Sequence, residues 1–238
     1  MEDALGEPST KSRQNRAGFV TPAFYNSEGV AEDYAEVSGL RMPEQVLVNE
    51  AIRHIEGQPV LDIGVGAGRT TGYLRGIAAR YVAIDFSERM LWHCRRNHAG
   101  VCLALCDARA ICFADGSFQM AGFFYNGLDD VEHVDRLLIF REVRRVLRPG
   151  GVFLFSSHNL DSDGAENVPR ERGFAIVQQS YEPYTLPTYY ISRERQVRQL
   201  AGCGFGETRV LDEGGRPVGP GERCRDRYLY YSTRKRPA

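Results

Sequence analysis

Three aspartates follow three short apolar runs of the sequence, one after each run. Asp62 lies in "PVLDIG", Asp85 ends "YVAID" and Asp107 follows "VCLALC". Short apolar runs bounded by turn residues are typical of buried strands, and the carboxyl ends of parallel strands share the sheet edge where ligands bind. Carboxylates can accept hydrogen bonds from ammonium, hydroxyl and amino groups. The pattern therefore predicts a binding site for a ligand that carries such groups.

Three glycines follow the first of these runs, at Gly64, Gly66 and Gly68 in "VLDIGVGAGRTT". Glycine lets bare backbone approach a ligand and adopts positive φ without strain. A dinucleotide site has the spacing G-x-G-x-x-G/A, whereas here Arg69 stands three residues after Gly66. Asp62 would be unfavourable beside a pyrophosphate but suits an ammonium group. The motif thus favours a nucleoside ligand with an amino group and no phosphate, such as S-adenosylmethionine.

The other two aspartates extend this interpretation. Asp85 follows the glycines by about 20 residues, the spacing at which a carboxylate binds ribose hydroxyls in nucleotide sites. Asp107 is placed to accept a hydrogen bond from an adenine amino group. Three structural alternatives stay open: Asp62 caps backbone amides of the turn, Asp85 is a plain turn residue, or Asp107 is only a helix N-cap.

The elements that must position these residues alternate between strand and helix from Pro59 to His158, which predicts a parallel sheet with helices on both faces. Near the end of the chain, "GETRVLDEG" and "DRYLYYSTR" alternate in polarity and predict an antiparallel hairpin. The predicted fold is α/β, a Rossmann-like doubly wound sheet of seven strands, mostly parallel with a C-terminal antiparallel hairpin.

Changes in composition and periodicity predict five segments. They are a flexible tail (1–20), an N-terminal helical lid (21–56), the ligand-binding core (57–160), an insertion that binds a second substrate (161–195), and a C-terminal helix and hairpin that complete the sheet (196–238).

Composition restricts the class of protein. The 238 residues carry a net charge of −1, which disfavours a nucleic-acid partner. The six cysteines form no C-x-x-C pair, so we expect no metal site. No apolar run approaches the ~20 residues of a membrane span. We expect a cytoplasmic protein, a monomer or homodimer.

The segment from Val60 to His158 resembles the class I S-adenosylmethionine-dependent methyltransferases. The matching pieces are "VLDIGVGAGRTT", "AIDFSERML", "CDARAICFADGSFQ", "GLDDVEHVDRLLIFREVRRVLRPGG" and "VFLFSSHN". The resemblance implies S-adenosylmethionine as cofactor and S-adenosylhomocysteine as product. It implies cofactor contacts from Asp62, Gly64, Gly66, Asp85 and Asp107, with Phe86 and Met90 flanking the adenine and a backbone amide from Ala108. We add Gly68, Tyr125, and Tyr25 and Tyr34 from the N-terminal helices, although core packing is an equal alternative for Tyr34 and Met90.

The methyl acceptor should bind past the fourth and fifth strands, and the candidates there are Tyr125, Asn126, Asp129, Asp130, His133, His158 and Asn159. We assign catalytic roles to His158, Tyr25 and Asn126. Histidine titrates near neutral pH, so His158 suits a general base. A structural histidine is the alternative for His158, and helix-start roles are the alternative for Asp130 and His133. "YNGLDD" departs from the Asn/Asp-Pro-Pro-aromatic motif of amino-methylating members, which disfavours methylation of DNA bases or glutamine.

Five aromatic residues of the insertion suggest walls for a flat or apolar small molecule, namely Phe174, Tyr181, Tyr184, Tyr189 and Tyr190. Packing of the insertion onto the sheet is the alternative. The function expected is methyl transfer to a small molecule of bacterial secondary metabolism, such as a natural product or antibiotic. Methylation of protein or RNA is the second hypothesis, and a non-catalytic nucleoside- or NAD-binding protein is the third.

Overall fold

Nine strands form one mixed sheet in the part of the chain that the computed structural model describes, residues 22–170 and 173–237. The tail predicted over residues 1–20 lies outside the described residues. The strands are β1 (Pro59–Ile63), β2 (Arg80–Asp85), β3 (Cys102–Leu105), β4 (Phe118–Phe123), β5 (Leu147–Asn159), β6 (Phe174–Tyr181), β7 (Tyr184–Ile191), β8 (Phe205–Leu211) and β9 (Tyr228–Lys235). The helices are α1 (Pro22–Tyr25), α2 (Glu28–Glu36), α3 (Met42–Ile55), α4 (Thr71–Ile77), α5 (Glu88–Asn97), α6 (His133–Val146) and α7 (Arg193–Gly202), with a 3₁₀ turn at Gly127–Asp129.

The central strands run parallel in the order β3-β2-β1-β4-β5. The chain passes outward from β1 to β3 and then returns to β4 on the other side of β1. This reversal opens a crevice at the carboxyl ends of β1 and β4, the usual ligand site of doubly wound sheets. β9 pairs antiparallel with both β5 and β8. The predicted α/β fold and its C-terminal antiparallel hairpin are confirmed.

The strand count is nine rather than the predicted seven, because residues within the insertion form the antiparallel hairpin β6–β7. The run Leu186–Tyr189 is continuously buried and contains Pro187, so it lacks the alternation that marks a strand and includes a residue that strands disfavour. β7 pairs with only the last two residues of β5, His158 with Tyr190 and Asn159 with Ile191. The hairpin therefore extends the sheet at the carboxyl edge.

Apolar side chains fill both faces of the sheet. One cluster contains Phe118, Phe140 and Phe153, and the other contains Leu47 and Leu154. Leu47 lies on α3, so this helix packs against the sheet rather than forming part of a lid. Helices α1 and α2 share a small cluster with Met90 and with Ala67 of the glycine turn. No helix among the described residues is long and apolar enough to cross a membrane.

Candidate functional site

The glycine turn after β1 opens into a cavity. Gly64 has φ +63° and Gly66 has φ +55°. A Cβ on Gly64 would lie 2.6 Å from Cε2 of Phe123, whereas the nearest atom to a Cβ on Gly66 would be Sδ of Met90 at 3.9 Å. Packing against Phe123 therefore requires Gly64, while Gly66 keeps space open for a ligand.

Gly68 does not lie where a cofactor contact was predicted. Its φ is +98°, and a Cβ there would lie 2.5 Å from Cδ2 of His98 and 3.1 Å from Sγ of Cys94. Gly68 does not line the cavity. The third glycine allows α5 to pack closely against the turn, and the structure offers no support for placing it against the cofactor.

We call this space the glycine-loop cavity; it measures about 1340 Å³ with its open mouth included. It holds the other predicted cofactor residues, which are Tyr25, Tyr34, Asp62, Gly64, Gly66, Asp85, Phe86, Met90, Asp107, Ala108 and Tyr125. These residues come from α1 and α2, from the carboxyl ends of β1 and β2, from the loops after β1, β2, β3 and β4, and from the start of α5. The topology thus gathers residues that are far apart in sequence around one elongated space.

Two of the three aspartates are buried in this cavity. Oδ2 of Asp62 accepts hydrogen bonds from the hydroxyls of Thr70 and Tyr81, and not from backbone amides of the turn. Asp85 accepts from the backbone N–H of Gly66 at 2.8 Å and of Ser87 at 2.9 Å. Burial raises the pKa of each carboxyl to about 6, against the lowering effect of these hydrogen bonds.

Asp107 lies at the rim of the cavity, with 45% of its side chain exposed. Arg109 donates to it from its backbone N–H, from Nε and from Nη2. Partial burial raises the pKa of Asp107, but the hydrogen bonds from Arg109 outweigh this and hold the pKa below its usual range. Asp107 therefore binds a side chain two residues away, a partner that the sequence analysis missed.

A second space, the hairpin cavity, lies between α1–α2, the loop after β4 and the β6–β7 hairpin. Tyr25, Tyr34, Tyr125 and Asp130 line both cavities. The two cavities therefore meet at three tyrosine rings and one carboxyl group. Of the aromatic residues predicted as acceptor walls, only Tyr181 lines the hairpin cavity; Tyr189 is fully buried and Phe174 stacks on His133.

Hydrogen bonding ties this junction together. The hydroxyl of Tyr25 donates to Oδ2 of Asp130 at 2.6 Å, and the ring of Tyr34 lies 5.9 Å from those of Tyr25 and Tyr125. Burial raises the pKa of Asp130 to about 7 and raises that of Tyr25 well above its usual value. Asp130 precedes α6 and faces the cavities, so it is more than a helix-start residue.

The loop after β4 has unusual backbone geometry. Tyr125 and Asn126 have φ +59° and +60°, in the left-handed region that non-glycine residues seldom occupy. The guanidinium of Arg41 lies 4.5 Å from the Tyr125 ring centroid, and the N–H of Asn126 donates to Oγ of Ser156 at 2.9 Å. These contacts hold Tyr125 at the junction and Asn126 at the hairpin cavity.

His158, at the end of β5, also lines the hairpin cavity. Its Nδ1 lies 2.9 Å from Oδ2 of Asp129, and its backbone N–H donates to the same oxygen at 2.7 Å. The rings of Tyr190 and Tyr228 contact the imidazole at centroid distances of 5.0 and 4.9 Å. No hydrogen bond within the described part of the chain uses Nε2, which is therefore available to a ligand.

His133 and Asn159 have structural roles. Nδ1 of His133 lies 2.7 Å from the Tyr189 hydroxyl, and the ring stacks on Phe174 at 4.4 Å. The side-chain amide of Asn159 donates to the carbonyls of Cys224 and Asp226. Neither residue lines the hairpin cavity, so both are separated from the other acceptor-site candidates.

Arg136 is a buried functional candidate that the sequence analysis missed. It has no exposed surface and pairs with Asp129, also fully buried, at 2.6 Å. Arg136 occupies the position of an apolar residue three residues before Ile139 and four before Phe140, on the buried face of α6. The signal available in the sequence was a charged residue at a buried helical spacing. An arginine inside a core needs a buried partner, so this spacing predicts an ion pair.

Comparisons with known proteins agree with this geometry. Residues 60–151 match a family described as "Methyltransferase domain". A malonyl-[acyl-carrier protein] O-methyltransferase of Erwinia pyrifoliae is 34% identical over 154 residues, which are 63% of this chain and 53% of that protein. A demethylmenaquinone methyltransferase of Renibacterium salmoninarum is 34% identical over 105 residues, 44% of this chain and 43% of that protein. The chain spans about half the length of the curated relatives it matches.

Solved structures share the fold. A 1,6-didemethyltoxoflavin-N1-methyltransferase of Burkholderia thailandensis, with S-adenosylhomocysteine bound, has a TM-score of 0.66 at 18% identity and covers 100% of this chain and 94% of its own. The CcbJ methyltransferase of Streptomyces caelestis has a TM-score of 0.67 at 18% identity, and the match covers 90% of this chain and 98% of that protein. Residues 60–151 thus resemble a methyltransferase domain, and the described chain has the fold of solved methyltransferases.

Proposed function

We propose that the protein transfers a methyl group from S-adenosylmethionine to a hydroxyl group of a small, flat acceptor by in-line displacement. The observation that carries the proposal is the junction of the two cavities at Tyr25, Tyr34, Tyr125 and Asp130. A donor in one cavity and an acceptor in the other would meet there, and holding two reactants in line supplies much of the barrier reduction in such a reaction.

The glycine-loop cavity fits S-adenosylmethionine, which supplies an electrophilic methyl group on its sulfonium when bound. Both hydroxyls that donate to Asp62 use Oδ2, which leaves Oδ1 to accept from the ammonium group. Asp85 accepts one backbone N–H at each oxygen, so each keeps a lone pair for a ribose hydroxyl. Phe86 and Met90 would flank the adenine, and Ala108 and Asp107 would meet its edge.

The hairpin cavity favours a hydroxyl acceptor. Such an acceptor must lose a proton during attack, and Nε2 of His158 can accept that proton in this cavity, once Nδ1 donates to Asp129. Tyr181 and Tyr228 line the same space and supply flat aromatic walls. Tyr25 and Asn126 would orient the acceptor from the junction side.

The names of the curated relatives support small acceptors, since they refer to malonyl-[acyl-carrier protein] and demethylmenaquinone. We place the reaction in bacterial secondary metabolism and in the cytoplasm.

A panel of phenols, carboxylic acids and amines, incubated with S-adenosylmethionine, tests this proposal by chromatography of S-adenosylhomocysteine. We expect release that depends on a phenol, is lost in His158→Gln, and persists in the exposed control His54→Gln. Release with amines or carboxylic acids alone, or equal release in His158→Gln, would contradict the assignment of a hydroxyl acceptor and of His158 as its base.

A further inference from the structure

A fully buried hydrogen-bond cluster lies behind His158. Nη1 of Arg136 donates to Oδ1 of Asp129 at 2.6 Å and to the Leu128 carbonyl at 2.8 Å. Nη2 donates to Oγ of Ser157 at 3.0 Å and to Oε1 of Gln196 at 2.6 Å. One guanidinium thus joins α6 to the 3₁₀ turn, to β5 and to α7.

The Asp129 carboxyl group accepts three hydrogen bonds and lies beside a fourth polar group, Nδ1 of His158. Arg136 and the Ser157 hydroxyl donate to Oδ1, the latter at 2.7 Å. The backbone N–H and Nδ1 of His158 lie 2.7 and 2.9 Å from Oδ2. A group with donors at both oxygens, one of them a guanidinium, is held as a carboxylate. A carboxylate only accepts, so Nδ1 carries the hydrogen and Nε2 carries the lone pair.

We infer that Arg136 is a positioning residue for methyl transfer: it holds Asp129 as a carboxylate, and Asp129 holds His158 with its Nε2 lone pair toward the hairpin cavity. This inference rests on the proposed role of His158 as a base. Stability does not explain the cluster, because a buried ion pair often contributes no more than apolar residues of similar volume.

The charges around His158 indicate what loss of Arg136 would do. Asp129 binds the imidazole, and Asp33, Asp130 and Glu182 line the same cavity, with Tyr25 bonded to Asp130. Arg227 lies at the exposed edge of that cavity, and Tyr190 and Tyr228 flank the ring. Without the guanidinium, the Asp129 carboxylate keeps the imidazole as its neighbour and loses its buried cation, which favours the protonated form of the imidazole.

Nuclear magnetic resonance of ¹⁵N-histidine-labelled protein tests this at about pH 8, where a free imidazole is neutral. The His158 signals are identified by their loss in His158→Gln. We expect a neutral ring with its hydrogen on Nδ1 in the wild type and in Arg136→Lys. Arg136→Gln should give a protonated ring, and the exposed control Arg141→Gln should match the wild type.

A wild-type ring with its hydrogen on Nε2, or a folded Arg136→Gln protein with unchanged His158 signals, would overturn the inference. If Arg136→Gln does not fold, the double variant Arg136→Met/Asp129→Leu removes both buried charges, which proteins often tolerate. There we expect the hydrogen to move to Nε2, and retention on Nδ1 would also overturn the inference. The measurement uses neither cofactor nor acceptor, so failure of the proposed methyl transfer is detected separately.

Discussion

The backbone N–H of Gly66 donates to Oδ2 of Asp85 across 2.8 Å, so the carboxylate at the end of β2 holds the glycine turn that follows β1. The same carboxylate accepts from the N–H of Ser87, whose hydroxyl caps α5 by accepting from Met90. One buried side chain thus orders the loop, the start of α5 and the space between them.

Removal of this carboxylate should weaken cofactor binding. In Asp85→Ala we expect S-adenosylhomocysteine to bind about 10- to 100-fold more weakly, since hydrogen bonds to charged groups contribute roughly 1.5–3 kcal/mol. Calorimetric titration measures this, with the exposed Asp163→Ala as a control. NAD should not bind to the wild type. Tighter binding of NAD than of S-adenosylhomocysteine would contradict our interpretation of the glycine spacing.

Cofactor affinity should depend on pH. The pKa values of Asp62 and Asp85 are raised to about 6, so both carboxyls are largely protonated below pH 6. An ammonium ligand and ribose hydroxyls bind the anionic forms better, so binding must release protons there. We expect affinity for S-adenosylhomocysteine to be constant above about pH 7 and to fall by up to about tenfold per pH unit and per group below pH 6. Constant affinity between pH 8 and pH 5 would show that neither carboxylate binds the ligand in its charged form.

Stability should fall as pH rises through the raised pKa values. Asp130, with a pKa of about 7 in the folded protein, binds more protons there than in the unfolded chain, where its pKa is near 4. The free energy of unfolding therefore decreases between about pH 4 and pH 7. Asp130→Asn keeps an acceptor for Tyr25 and removes the buried charge.

We expect urea denaturation to show this variant more stable than the wild type at pH 8, by on the order of 3 kcal/mol, with little difference at pH 4. Asp163→Asn, on the surface, should show no such change. If Asp130→Asn were destabilised equally at both pH values, the buried charge of the Asp130 carboxylate would not be what lowers stability at pH 8.

The two glycines Gly66 and Gly68 should respond differently to alanine. Gly66→Ala places a methyl group in the open cavity, so we expect loss of S-adenosylhomocysteine binding with a stability loss of roughly 1 kcal/mol from the positive φ. Gly68→Ala brings the methyl group against His98, so we expect a larger stability loss, on the order of 2–3 kcal/mol.

His98→Ala should restore part of the stability in a Gly68→Ala background, because it removes the clashing ring. Thermal unfolding and calorimetry separate these effects. If Gly68→Ala were as stable as the wild type but failed to bind S-adenosylhomocysteine, Gly68 would contact the cofactor after all.

The cofactor side could be predicted because its determinants are local. Asp62 and Asp85 end strands that short apolar runs reveal, and bare backbone at Gly66 follows from residue type alone. The acceptor side depends on contacts between distant segments. The β6–β7 hairpin has a strand with a continuously buried run and a proline, and the pairing of Arg136 with Asp129 requires α6 to meet the 3₁₀ turn. The β7 strand has no alternating signal in the sequence, and the helical spacing that marks Arg136 does not show which acidic residue it meets.

Transfer of a labelled methyl group to a small molecule tests the central claim most directly. The wild type and Asp85→Ala proteins would be incubated with methyl-labelled S-adenosylmethionine and a bacterial lysate, and the label would be counted in the small-molecule, protein and RNA fractions. We predict label in the small-molecule fraction that depends on Asp85, with mass spectrometry identifying the acceptor. Label found in protein or RNA instead would contradict the small-molecule assignment of the hairpin cavity.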